Sequence, residues 1–249
     1  FMDFARAVGA VRALMQEGVP TAMVRLSDPD ETFFYGGLQM GGEGMDPSVR
    51  VCVMLAGHEG SAAEVEQASA RSRAVIEREG GAHMGAEMGE RWYAHRFETP
   101  YLRDPMLDRG LGVDTLETCA NWSRLMPLYE AVGGAIRGAF EAWPGRPGAR
   151  AVCMAHISHC YRDGASLYFT FGFVRDPDDP IGQWRAVKEA ASDAIAANHG
   201  TISHHHGVGV DHLPWYAMEA GPAGLDALRA LKRELDPAGV MLSLIHISE

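Results

Sequence analysis

The sequence predicts an α+β fold in which an antiparallel sheet is covered by helices. Three observations indicate this class. The 249 residues are 47% apolar, which is enough for a sizeable core. Predicted strands at 151–160 and 165–173 follow one another like a hairpin, and amphipathic helices separate most of the other strands. A strand–helix–strand order also occurs twice, over 51–98 and over 111–160.

The start of the chain alternates between helix and strand signals. Apolar residues recur at helical spacing from Phe4 to Met15, and Gly18 ends this first helix before Pro20. A strand is predicted at 22–26. A turn at 27–31 and a glycine-rich loop at 36–44 are expected to follow.

The first strand–helix–strand unit begins with the continuous apolar run 51–56, which is typical of a buried strand. Ser61 and Glu64 have the spacing of a capping box, and the helix they begin should reach about residue 79. The apolar and aromatic stretch 91–98 completes the unit as its second strand.

The second unit and the rest of the chain complete one predicted domain over 1–241. The final residues, 242–249, fit nothing before them and are predicted to be a non-native tail. The remaining elements are predicted as strand 111–118, helix 122–142, strands 151–160 and 165–173, helix 181–198, a histidine-containing strand at 201–209 and a helical segment at 213–234.

Composition excludes several classes of protein. The formal net charge is -11 with acidic residues spread along the chain, which argues against a nucleic-acid partner. No stretch approaches the roughly 20 apolar residues of a membrane span, and no secretory signal is visible. The four cysteines have no CxxC spacing, which is typical of reduced thiols in a cytoplasmic protein.

Three consecutive histidines, His204, His205 and His206, precede a Gly-x-Gly and give the strongest signal of a site. Imidazole titrates near neutrality and can donate, accept or bind a metal. In a strand, His204 and His206 would share one face and His205 the other. A polar strand end with hydrogen-bonded histidines is the open alternative. No Cys or Glu stands at the short spacing of known zinc motifs, so no metal site is predicted.

Tyr168 is the second candidate. It stands between Ser166 and Thr170 on the more polar side of strand 165–173, while the large apolar residues of that strand face the other way. A phenol with a lowered pKa could act there as an acid or a base. An ordinary β-sheet tyrosine is the alternative, because aromatic residues favour strands.

Arg103 is the third candidate, since it follows the predicted strand 91–98 and precedes Pro105. A guanidinium at this point could hold a carboxylate or phosphate through two donors. A surface ion pair with Asp104 is the alternative. Glu117 and Trp122, at the next strand–helix junction, are expected to be structural.

Familiar motifs of other enzyme classes are missing. The chain has no Walker A loop, no GxSxG elbow and no HExxH, and the glycines at 36–44 do not match GxGxxG in a strand-to-helix setting. The residues by themselves therefore indicate a binding or catalytic domain with a polar, histidine-lined pocket.

Several short motifs, taken together, carry a resemblance that covers residues 1–241. They resemble the C-terminal substrate, or cap, domain of FAD-linked oxidases of the vanillyl-alcohol oxidase type, and most closely the alkyldihydroxyacetonephosphate synthase family. The triple histidine is the most specific motif, because related 2-hydroxyacid oxidases usually have Glu-His-Gly-Ile-Gly there. The motifs are Arg25-Leu-Ser-Asp28, Phe97-Glu-Thr99 with Leu116-Glu-Thr118, Tyr101-Leu-Arg-Asp104, Gly164-Ala-Ser-Leu-Tyr168, Ser203-His-His-His-Gly-Val-Gly209 and Asp236-Pro-x-Gly239.

The resemblance implies both a fold and a reaction. The fold is the cap domain, with ferredoxin-like repeats. The reaction exchanges the acyl group of acyl-dihydroxyacetone phosphate for a fatty alcohol in ether-lipid synthesis, with FAD as cofactor and no net redox change. Matching the motifs puts the proton-transferring tyrosine on Tyr168, the substrate-gripping arginine on Arg103 and the essential histidines on His204, His205 and His206.

The resemblance also implies what this chain should lack. FAD is expected to be bound mainly by an N-terminal domain that is missing here, so the fragment alone should be inactive. Val210 stands where the family usually has a basic residue. The expected partners are a lipid-like small-molecule substrate and FAD, but no nucleic acid, with peripheral membrane contact and a homodimer left open.

Two other functions stay open at this point. One is an FAD-dependent oxidase or dehydrogenase of a small 2-hydroxy acid or alcohol. The other is a cap domain that binds a ligand without catalysis.

Overall fold

The structure, a computed structural model, describes residues 1–39, 49–148 and 151–241. Helices and strands alternate along most of this length. In chain order they are α1 (Phe4–Gln16), β1 (Met23–Ser27), α2 (Pro29–Gln39), β2 (Val53–Gly57), α3 (Ala62–Arg78), α4 (Glu87–His95), a 3-10 helix (Thr99–Leu102), α5 (Arg103–Asp108), β3 (Leu111–Asn121), α6 (Trp122–Ala142), β4 (Val152–Ile157), β5 (Gly164–Val174), α7 (Pro180–Ala197) and α8 (Gly209–Leu235).

The five strands form one antiparallel sheet in the order β2-β1-β4-β5-β3. The longest pairing joins β3 to β5 along their whole length, from Leu111 opposite Val174 to Asn121 opposite Gly164. This architecture confirms the predicted α+β class, with an antiparallel sheet and helices packed on it.

The sheet has two unlike faces. On the apolar face, Leu167, Phe169 and Phe171 of β5 are fully buried and pack against α6, as the contact between Phe140 and Phe171 shows. The polar face is the opposite side, where Glu117, His156 and Tyr168 lie level with one another on β3, β4 and β5. The alternation predicted for β5 therefore separates the core from the candidate site.

Several elements follow their sequence signals closely. Helix α6 has the predicted bounds of 122 and 142. Helix α3 begins with the predicted capping box, since Ser61 accepts a hydrogen bond from the Glu64 amide and the Glu64 carboxylate accepts one from the Ser61 amide. Helix α8 is interrupted at Gly221, whose φ of 65° lies in the left-handed region that glycine tolerates.

The turn predicted at 27–31 is wrong, because helix α2 begins at Pro29. The Asp28 carboxylate accepts a hydrogen bond of 2.7 Å from the Glu31 amide, as an N-terminal cap does. Asp followed by Pro therefore marks a helix start here rather than a turn. The loop predicted at 36–44 belongs to α2 as far as Gln39, and its remainder lies outside the described residues.

The strand predicted at 91–98 is also wrong, because most of this stretch lies in helix α4. Aromatic residues favour strands only where a pleated, half-buried surface receives them. Here Tyr93 and Phe97 are exposed, and the Arg96 guanidinium lies 3.7 Å and 4.3 Å from their ring centres. The first predicted strand–helix–strand unit consequently lacks its second strand, and β2 pairs with β1 instead.

No helix of the described residues combines the length and apolarity needed to cross a bilayer. The tail predicted at 242–249 lies outside the described residues.

Candidate functional site

Glu117 lies at the centre of the candidate site, although it was expected to be structural. It is 3% exposed, projects from the polar face of β3 and pairs in register with Tyr168 of β5. A carboxylate removed from water in this way needs compensating donors or cations. Imidazoles from two separate segments surround it.

The segment with the three histidines is not a strand, which corrects the prediction for 201–209. It is irregular and runs along the outer edge of β3, where the Thr201 amide donates to the Cys119 carbonyl and the His204 amide to the Glu117 carbonyl. His205 has a φ of 43°, in the left-handed region that is costly for most residues. The chain therefore turns at His205 instead of alternating its side chains between two faces.

This turn brings all three imidazoles to one carboxylate. His204 Nδ1 lies 3.1 Å from Glu117 Oε1, and the Nε2 atoms of His205 and His206 each lie 3.1 Å from Glu117 Oε2. A fourth imidazole, from His159 in the β4–β5 hairpin, places its Nδ1 3.2 Å from Oε1. Burial lowers the pKa of His206, and the Glu117 carboxylate acts in the opposite direction.

Tyr168 lies between two of the neighbouring rings. His156 stacks on it with ring centres 4.9 Å apart, and His206 meets it edge to face at 5.6 Å. Tyr168 is half-buried, and within the described residues its hydroxyl takes part in no hydrogen bond. The phenol is thus held by ring contacts while its oxygen is available to a ligand.

A second polar group adjoins Tyr168 and was missed by the sequence reasoning. Arg25 of β1 lies 3.0 Å from the Glu31 carboxylate and 3.1 Å from His156 Nδ1, which itself lies 2.8 Å from Glu31. The alternation of residues in β1 could have revealed it, because Val24 and Leu26 are buried on one face of the strand and Arg25 lies on the other.

These contacts shift two pKa values. Burial acts to raise the pKa of Glu31, but the hydrogen bond from His156 and the charges of His156 and Arg25 outweigh it and lower that pKa. For His156, burial lowers the pKa, and this effect outweighs the neighbouring Glu31 carboxylate, which acts to raise it. An ionised Glu31 thus holds the Arg25 guanidinium and the imidazole in place.

Arg103, the predicted substrate-gripping arginine, lies at the start of α5. Its side chain is 67% exposed and lies 3.9 Å from Asp104. Within the described part of the chain, Arg25 is the arginine that contacts His156, the residue stacked on Tyr168.

Comparison with known proteins identifies the family of this chain. Residues 1–243 match the family of FAD linked oxidases, C-terminal domain. The alkyldihydroxyacetonephosphate synthase of Dictyostelium discoideum is 28% identical over 257 residues, which cover 96% of this chain and 41% of that protein. The synthase of Caenorhabditis elegans is 32% identical over 194 residues, with 78% and 32% covered.

A solved structure of an alkyldihydroxyacetonephosphate synthase has the same fold, with a TM-score of 0.70 at 24% identity over 95% of this chain and 42% of that one. The chain spans less than half the length of these relatives. Since the family match extends over nearly the whole chain, the chain belongs to the family of FAD-linked oxidase C-terminal domains and is similar to the alkyldihydroxyacetonephosphate synthases.

Proposed function

We propose that this chain forms the substrate-binding and proton-transfer wall of an FAD-linked enzyme that exchanges the acyl group of acyl-dihydroxyacetone phosphate for a fatty alcohol. The observation that carries the proposal is the Tyr168 hydroxyl. It has no partner in the described residues, yet its ring lies between His156 and His206 on a polar, half-buried face. General acid–base catalysis needs a positioned proton donor whose oxygen can reach the substrate.

The hydrogen-bonding groups beside Tyr168 suit an anionic substrate. Arg25 is 16% exposed in its side chain and is oriented by Glu31, so its remaining donors can bind a carboxylate or a phosphate. His204, His205 and His206 lie on the other side of Tyr168, around Glu117. Arg103 remains a further candidate for gripping substrate, from the exposed start of α5.

The described residues fit FAD as one wall of its site. The rings of Tyr168 and His206 meet edge to face, with centres 5.6 Å apart and planes at 81°, and together they offer a polar, aromatic wall to the cofactor. These two side chains would lie against the flavin ring, and the rest of the cofactor would be bound by a part of the protein other than this chain. When bound, FAD supplies the ring at which the bond exchange takes place.

The chain's own residues account for binding and for movement of protons. The exchange breaks the C1–O bond to the acyl group, forms a C1–O bond to the alcohol and releases the fatty acid, so no electron acceptor is consumed. Tyr168 would remove and return the C1 proton. Arg25 would stabilise the departing carboxylate, and His206 would orient the substrate beside the phenol.

The experiment is the substitution Tyr168→Phe in the FAD-loaded full-length protein, which keeps the ring and removes the hydroxyl. We expect turnover of acyl-dihydroxyacetone phosphate with a fatty alcohol to fall by ~10²–10⁴ fold, with FAD content unchanged. Formation of alkyl product is measured without an added electron acceptor.

The control is Tyr93→Phe, because Tyr93 is exposed on α4 and its side chain contacts Arg96 through the ring face, which phenylalanine keeps. It should retain full turnover. Wild-type turnover by Tyr168→Phe would remove Tyr168 from the mechanism. Reduction of an electron acceptor by a 2-hydroxy acid or alcohol, with no alkyl product, would instead show an oxidase or dehydrogenase.

A further inference from the structure

The side chains around Glu117 have the composition and spacing of a metal-binding site. Glu117, His159, His204 and His205 each offer one ligand atom, and these atoms all lie within 4.8 Å of one another. We propose that these four residues bind one divalent transition-metal ion, with zinc as the expected occupant. Three imidazoles and one carboxylate are ligands that zinc prefers.

The distances support a tetrahedral arrangement. With metal–ligand bonds of about 2.0 Å, the edges of a tetrahedron are about 3.3 Å long. His159 Nδ1 and His204 Nδ1 already lie 3.2 and 3.1 Å from Glu117 Oε1, and His205 Nε2 lies 3.1 Å from Oε2, the other oxygen of the same carboxylate. The widest separation within the group would need to shorten by at most about 1.5 Å, which rotations of imidazole side chains can supply.

The buried oxygen Glu117 Oε2 gives an independent indication. Two imidazole Nε2 atoms, from His205 and His206, lie 3.1 Å from it, yet it has no hydrogen-bond partner within the described residues. The approach of the two rings therefore does not have hydrogen-bond geometry. A buried carboxylate oxygen without a donor is costly, and a bound cation would satisfy it.

The residues around the proposed ligands resemble the usual surroundings of a bound metal. A metal-bound histidine commonly uses its second ring nitrogen for a hydrogen bond, which orients the ring. His204 Nε2 lies 2.9 Å from the Tyr161 hydroxyl, while its Nδ1 faces Glu117. Tyr161 would thus position His204 without touching the ion.

Four protein ligands leave no open position, so the ion would be structural. It would fasten the irregular histidine segment and the β4–β5 hairpin to β3. His204 and His205 would then contribute to the site through the ion, whereas His206 would stay free beside Tyr168. The ion and Glu117 together would also leave one net positive charge near the proposed anion-binding face.

The test measures zinc binding by the purified 249-residue chain, prepared without a histidine tag and stripped with a chelator. We expect calorimetry to give one zinc per chain and the melting temperature to rise on binding. Cobalt in place of zinc should give the intense visible absorption of a tetrahedral ion. Tyr161→Phe should weaken binding by ~10–100 fold, as loss of an orienting partner does.

Two ligand variants and one control decide the outcome. His159→Gln and Glu117→Gln should each weaken binding more than tenfold; His159 is 45% exposed, so its variant should fold even if Glu117→Gln does not. His206→Gln should bind zinc as the wild type does, because His206 is not among the four ligands.

Failure of the stripped wild type to bind one zinc, or unchanged affinity of His159→Gln, would overturn the proposal. Zinc alone is used, without FAD or substrate, so either result is distinguishable from failure of the proposed reaction.

Discussion

The two faces of the sheet differ in how their side chains are brought together. On the apolar face, Phe169 of β5 is fully buried in a core to which α1 and α6 contribute residues at regular helical spacing. On the polar face, the neighbouring residue Tyr168 meets His156 of the paired strand β4 and His206 of the irregular histidine segment, which share no common period. Local periodicity thus specifies the core, whereas the site depends on chain segments that meet only after folding.

Two carboxylates close together in sequence show the same contrast. Asp28 faces the apolar side, where Tyr129 of α6 and the Ala155 amide donate to it, and burial raises its pKa to about 7. Glu31 faces His156 and Arg25 on the polar side, and its pKa is lowered. The surroundings, not the residue type, decide whether each one is charged.

The largest expected effect is on the core. Phe169→Ala should lower the free energy of unfolding by ~3–5 kcal/mol, because it removes a fully buried ring and leaves a cavity. Tyr168→Phe, one residue away, should change it by less than about 1 kcal/mol, since the ring stays in place. Urea unfolding of both variants measures the difference. Equal losses would show that the two faces are not energetically distinct.

The next effect is on pH dependence. Below pH 3.8, Asp28 is protonated in both the folded and unfolded chain and imposes no penalty. Between pH 3.8 and about 7 the unfolded chain loses this proton while the folded chain keeps it, so stability falls as pH rises. The full difference between the two ends of this range is about 4 kcal/mol.

Urea unfolding between pH 4 and pH 8 tests this prediction through the difference between the wild type and Asp28→Asn. As pH rises, the free energy of unfolding of the wild type should fall relative to that of Asp28→Asn. Glu31→Gln is the matched control. Its difference from the wild type should stay flat above about pH 5 and change in the opposite sense toward pH 4, because stability from a carboxylate of lowered pKa is lost as pH falls through its ordinary value of 4.5. Identical slopes for the two variants would contradict the contrast between these carboxylates.

A smaller effect is expected from two glycines of β5 on the polar face. A Cβ at Gly164 would lie 2.3 Å from the Ala120 carbonyl oxygen, whereas a Cβ at Gly172 would meet nothing closer than 3.9 Å. Gly164→Ala should therefore cost ~1–3 kcal/mol of stability and Gly172→Ala less than about 0.5 kcal/mol. Thermal unfolding compares them. A tolerated Gly164→Ala would mean that β3 and β5 can separate at this end.

The smallest effect is expected away from both faces, at the start of α3. Ser61→Ala removes the capping hydroxyl and should cost about 1 kcal/mol, while Ser61→Thr should retain most of the cap. Chemical denaturation measures both. A loss as large as that of Phe169→Ala would show that stability does not reside chiefly in the apolar face.

The sequence by itself determined the elements whose signals are local. The bounds of α6, the capping box of α3 and the alternation of β5 follow from helical period, hydrogen-bonding side chains and strand period, which involve neighbours in the chain. The order of motifs also indicated the family that the comparisons confirm. The strand prediction for 91–98 was wrong because aromatic residues favour a strand only where they pack on a sheet, and this stretch forms helix α4 instead.

Only the tertiary structure decided the composition of the site. Glu117 stands 42 residues from His159 and 87 from His204 in the sequence. No short sequence motif could therefore indicate that these two histidines contact the Glu117 carboxylate. The left-handed turn at His205, which directs all three imidazoles to Glu117, is unfavourable locally and depends on the edge of β3 and the buried charge. Arg25 likewise reaches His156, the residue that stacks on Tyr168, through the pairing of β1 with β4. Such contacts arise from long-range packing, which the local pattern of residues does not encode.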